Sequence, residues 1–170
     1  MLPQFRLGAA LTIWRLRTSG AGLVLGWAGA AFAAYPAAGS LGANSANWAF
    51  VTDTGVLTAG FTIEGTGTKN VLIRAIGPTL SGFGVGGAWG DPILVLFAGS
   101  TPLGANDDWG AAGNVAQIVA AAQQVGGFAL AAGSRDAAML VTLQPGTYTA
   151  QVAGVGGSVG AGLVEIYEVP

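Results

Sequence analysis

Short apolar runs recur along this chain at roughly ten-residue spacing, and glycine- or proline-containing turns separate them. The runs are Trp48–Val51, Val56–Glu64, Val71–Ile76, Pro92–Ala98, Leu103–Ala105, Ala137–Leu143, Thr147–Ala153 and Leu163–Val169. That rhythm predicts an all-β fold: an antiparallel β-sandwich, jelly-roll-like, of about seven or eight strands. Gly60 marks a candidate bulge. Pro145-Gly146 suits a type II turn. The segment "GVGGSVG" (Gly154–Gly160) reads as a hairpin loop between the last two strands.

One strand is more specific. "VLIRAI" (Val71–Ile76) is apolar on both faces except at Arg74. A strand of that kind lies centrally and is covered on both sides. A guanidinium buried there needs a partner, because an unpaired buried charge is costly. Glu165 in "LVEIYEV" is one candidate and Asp91 another; a solvated strand edge is the alternative. One helix is expected. In Asn114–Val125 the apolar residues Val115, Ile118, Val119 and Ala122 fall at helical spacing. Asn114 with Gln117 can form a capping box, and Gly126-Gly127 stops the helix.

Composition narrows the chemistry. The 170 residues suggest one domain, and 52% hydrophobic with 8% charged residues argues against disorder. There is no cysteine, so disulfides, zinc–thiolate sites and a cysteine nucleophile are excluded. There is no histidine, which removes the commonest general base and the commonest transition-metal ligand. The glycine-rich loop at 79–91 lacks the lysine and the strand-to-helix setting of a phosphate loop, so nucleotide binding is not expected.

The N-terminus reads as an export signal. Arg6, Arg15 and Arg17 precede an apolar run, Ala21–Ala34, that ends in Ala31-Phe32-Ala33. A basic region, a short apolar core and an A-x-A site together make a secretory signal peptide. Residues 1–33 are therefore expected to be removed, 34–47 to form a linker and 48–170 to form the sandwich. An uncleaved anchor is the alternative, although the run is shorter than the roughly twenty residues that span a bilayer. Cleavage removes three of six basic residues and leaves three against eight acids, a formal charge of −5. Such a chain is a poor nucleic-acid partner, and nothing after the cleavage site suggests membrane binding.

The stretch "GANDDWG" (Gly104–Gly110) holds two of the eight acidic residues. Asn106, Asp107 and Asp108 offer oxygen ligands for calcium, but the EF-hand spacing is absent. Asn-Asp runs are also ordinary turn formers. As catalytic acids, adjacent aspartates on a strand would point to opposite faces. A second candidate set is aromatic. Trp48, Trp89 and Trp109 could stack on a sugar or anchor a protein partner, with Trp89 and Trp109 the expected ligand-binding residues. Their alternative is to plug the ends of the sandwich.

The order "GFTIEGTGTKNVLIRAIGPTL", "FGVGGAWGDPILVLF", "ANDDW" and "SRDAAMLVTLQPGTYTAQVAGVGGSVGAGLVEIYEV" resembles a domain near the C-termini of exported proteins of environmental bacteria, with no established activity. Asp91, the "NDD" turn (Asn106, Asp107, Asp108) and "PGTYT" (Pro145–Thr149) are also similar to the bacterial pre-peptidase C-terminal domain. That resemblance implies a β-sandwich accessory module of secreted hydrolases, some of whose relatives bind calcium or extracellular polymers. The expected function is an exported, non-enzymatic module that binds polysaccharide or protein, with calcium as the one candidate cofactor. The alternatives are an assembly subunit of a surface or matrix structure and, more remotely, a carboxylate-based hydrolase.

Overall fold

The computed structural model describes the backbone of Ile13–Leu16 and Asn44–Val51, and both backbone and side chains over 55–170. The described strands are β1 (Ile13–Leu16), β2 (Asn44–Val51), β3 (Leu57–Ile63), β4 (Lys69–Ile76), β5 (Pro92–Ala98), β6 (Thr101–Asn106), β7 (Ala137–Leu143), β8 (Gly146–Gly154) and β9 (Gly160–Val169). Helix α1 spans Val115–Gln124. One sheet has the order β1-β3-β8-β5-β6 and the other β2-β9-β4-β7. Every pairing is antiparallel except β1 with β3. With β1 set aside, the strand order is that of an eight-stranded jelly roll. The β1 ladder pairs Ile13 with Gly60 through Leu16 with Ile63, inside the segment expected to be cleaved. The rest of the expected signal segment, including the Ala31-Phe32-Ala33 site, lies outside the described residues. β2 pairs with β9 from Asn44 onward, so strand structure reaches into the expected linker.

The strands alternate as a two-sheet core demands. Leu57, Ala59, Phe61 and Ile63 of β3 meet Val71, Ile73 and Ala75 of β4 between the sheets. The opposite face of β4 carries Leu72, which packs with Ile118, Ala121, Ala122 and Val125 of the α1 region. The two-sided apolarity of "VLIRAI" thus has its cause: β4 lies between the second sheet and the helix. α1 ends as expected, with Gly126 at a φ of 74° and Gly127 N–H donating to Ala122 O at 2.8 Å. No described helix is long and apolar enough to cross a membrane.

Three expectations are corrected. β3 runs in unbroken register through Gly60; the irregularity lies in the β5–β6 pair, between Leu96 and Phe97. Gly154–Gly160 is not a hairpin loop, because β8 and β9 belong to different sheets. Asn114 makes no side-chain cap; its Nδ2 donates to Leu140 O at 3.5 Å instead.

Arg74 is fully buried, and its partner is Glu165, directly opposite on β9. Arg74 Nε and Nη2 both donate to Glu165 Oε2, at 2.8 and 2.5 Å, and Nη1 donates to Phe128 O at 2.5 Å. The guanidinium lies 4.7 Å from the Phe128 ring centroid and 5.9 Å from that of Tyr167. Asp91, the other candidate, pairs with Arg135 at 2.8 Å. Removing one member of a buried pair strands the other. Glu165→Ala should therefore cost about 3–5 kcal/mol in urea unfolding. The double variant Arg74→Met/Glu165→Leu should recover most of that loss.

Candidate functional site: the loop end of the sandwich

Jelly-roll topology sends the two long connections, 77–91 and 107–136, to one end, where 155–159 joins them. The other end has only the short links 64–68, 99–100 and 144–145. Loops at one end of a rigid scaffold are where binding surfaces arise.

Asp136, fully buried at the start of β7, organises this end. Its Oδ1 accepts from Gly77 N–H at 2.8 Å and from Thr79 N–H at 3.3 Å. Its Oδ2 accepts from the Thr79 hydroxyl and, at 2.5 Å, from the Ser134 hydroxyl. Thr79 Oγ1 accepts in turn from Ala131 N–H at 2.9 Å, and Ser134 Oγ from Trp109 Nε1 at 3.2 Å. The Asp136 backbone carbonyl accepts from Trp109 N–H at 2.8 Å. One carboxylate thereby ties the β4–β5 connection to both ends of the β6–β7 connection. The sequence gives no sign of this role for Asp136. Ser134 is local, but the donors from Gly77 and Thr79 lie 59 and 57 residues away, and no local spacing marks them.

The "GANDDWG" stretch has a structural task. β7 is an edge strand, and Asn106 Oδ1 accepts from Ala138 N–H on its open edge at 2.9 Å. Asn106 Nδ2 donates to Asp108 O at 3.1 Å. With Trp109 N–H on Asp136 O and Asn114 on Leu140 O, alternate residues of that edge are covered from 136 to 140. Asn106, expected as a calcium ligand, thus turns both polar atoms to the backbone. Asp107 is exposed and Asp108 half-buried. The described residues hold no group of three or more acidic side chains that could surround a metal ion.

The two tryptophans expected to bind ligand are buried, Trp89 fully and Trp109 to 9% exposure. Neither ring offers a stacking face. Trp89 Nε1 donates to Ser158 O at 2.8 Å, and the ring lies in a slot that needs glycine. A Cβ at Gly160 would stand 2.7 Å from Trp89 N, and one at Gly162 2.7 Å from Trp89 Cε3. Trp48 lies where side chains are not described. Among the described residues the exposed aromatic at this end is Phe83, 63% accessible, edge-on to Phe128 with ring centroids 4.9 Å apart. Phe128 rests on the Arg74 guanidinium, so Phe83 sits above an anchored column. The sequence signal for Phe83 is its glycine-rich setting, "SGFGVGG".

No protein-family model and no curated protein matches this chain. Among solved structures it is similar to the pre-peptidase C-terminal domain of a Bacillus anthracis collagenase. That match has 14% identity, covers 75% of this chain and 89% of that one, and has a TM-score of 0.39. It is also similar to part of a Paenibacillus sp. cycloisomaltooligosaccharide glucanotransferase solved with cycloisomaltoheptaose. There the identity is 16%, the coverage 74% of this chain and 16% of that one, and the TM-score 0.33. The first is the kind of domain that the sequence resembles. At these TM-scores neither likeness bears on function, and the jelly-roll assignment stands on strand order.

Asp136→Ala should leave the Gly77 and Thr79 amides buried without an acceptor. The expected loss is at least about 3 kcal/mol in chemical denaturation, with strand circular dichroism retained before the transition.

Proposed function

We propose that this chain is an exported, non-enzymatic binding module whose ligand is a protein surface engaged by the loop end. The observation that carries the reading is Phe83, an exposed aromatic ring above Phe128, on a loop that Asp136 fixes at its base. A rigid aromatic that protrudes from a braced loop is the usual anchor of a protein contact. Export is supported by the basic, apolar and small-residue segments of the N-terminus. The non-enzymatic reading is supported by how the ionisable side chains are used. Arg74 and Glu165 serve each other, as do Lys69 and Glu168 at 2.8 Å and Asp91 and Arg135. Asp136 is spent on backbone and hydroxyl groups. A protein ligand is favoured over a polysaccharide because the buried indoles of Trp89 and Trp109 cannot stack on sugar rings.

The test is a selection of displayed peptides on the immobilised chain, beside a glycan array. Peptides should be enriched, and Phe83→Ala should weaken them roughly thirtyfold without moving the melting temperature. Enriched peptides indifferent to Phe83→Ala, or glycan binding alone, would overturn the reading.

A further inference from the structure

Among the described residues no element covers the outer face of the β3-β8-β5-β6 sheet, whereas α1 covers the other sheet. An antiparallel sheet that faces water normally alternates apolar-in with polar-out. β5 does not. Leu94 and Leu96 point into the core, so Ile93, Val95 and Phe97 point outward, each half-buried. Their partners on β8 are Ala153, Gln151 and Thr149. The face also carries threonines, among them Thr62 and Thr147 with hydroxyl oxygens 3.4 Å apart, and Leu103 and Ala105 of β6. No outward residue of β3, β5 or β8 is charged. Among the described side chains, charges lie beyond the strand ends, at Glu64, at Asp107 and Asp108 and at the Asp91–Arg135 pair; Arg15 of β1, in register with Thr62, belongs to the segment expected to be removed.

We infer that this uncharged outer face is an interface between two copies of the chain, packed sheet on sheet about an axis near Val95 and Gln151. The charge distribution selects a second copy. The chain is acidic, so two copies repel unless a charge-free patch meets a charge-free patch. A charged partner would leave its own groups desolvated and unpaired against this face. An apolar centre with charge confined to the margin is also the anatomy of an interface. The size sets the strength. Four strands about 4.8 Å apart and seven residues at about 3.4 Å each give a footprint of roughly 450 Å². A standard stable interface takes about 800 Å² per partner, so the dimer is weak.

Sedimentation equilibrium of the purified chain should show the weight-average mass rising toward twice the chain mass between about 10 µM and 1 mM. Gln151 is exposed, so Gln151→Glu should fold normally and keep its melting temperature. It should weaken self-association at least tenfold through like charges across the axis. An equimolar mixture of Gln151→Glu and Gln151→Lys should associate more tightly than either alone. Phe83→Ala should leave association unchanged, so this inference and the loop-end reading fail separately. A chain monomeric at 1 mM, or a dimer indifferent to Gln151→Glu, would overturn the proposal.

Discussion

The carboxylate of Asp136 is the point from which the loop end of this molecule hangs. A buried carboxylate is tolerable only when donors surround it, and Asp136 has two amides and two hydroxyls. Those donors belong to the connections that follow β4 and precede β7. Their bonding therefore decides where both long connections begin and end. Thr79 passes the constraint to Ala131, and Ser134 passes it to Trp109. What Asp136 does for the loops, Arg74 and Glu165 do for the layers: the pair locks β4 to β9 and supports Phe128 above them. The exposed Phe83 ring is placed by both devices.

Edges receive comparable care. The open edge of β7 is met by Asn106, Trp109 and Asn114, so the turn that leaves β6 also blocks addition of a foreign strand. β6, the edge of the other sheet, carries Pro102 and an irregular register. β3, at the other end of that sheet, pairs with β1 only while residues 1–33, expected to be removed on export, remain on the chain. The outer face of that sheet is treated differently from its edge, and its uncharged centre on β5 is the one extended apolar surface that the described fold leaves without an internal partner.

Much of the fold was legible in the sequence because its signals are local. Turn residues bracket the strands, helical spacing marks α1, and the two-sided apolarity of "VLIRAI" foretold a strand between two layers. The choice between Glu165 and Asp91 for Arg74 was not local. It followed from the register that sets Arg74 opposite Glu165. The site was barely legible. Asp136 finds its donors through tertiary contact, and Asn106 reads equally as a ligand, a turn former or an edge cap until β7 is placed beside it. Trp89 seemed a stacking platform because nothing in "GAWGD" reveals that Gly160 and Gly162 form its slot. The hairpin expected at Gly154–Gly160 failed for a related reason: a loop's sequence does not say whether its strands share a sheet.

Four donors on Asp136 brace the loop end. Amide hydrogen exchange followed by NMR tests this bracing most directly, at Gly77, Thr79 and Ala131, whose N–H groups donate to Asp136 or to Thr79 Oγ1. Protection at these three amides should be comparable to that of the β4 ladder, against rapid exchange at the exposed Gly82 and Gly86 beside Phe83. Exchange at Gly77 and Thr79 as fast as in those glycines would contradict the bracing.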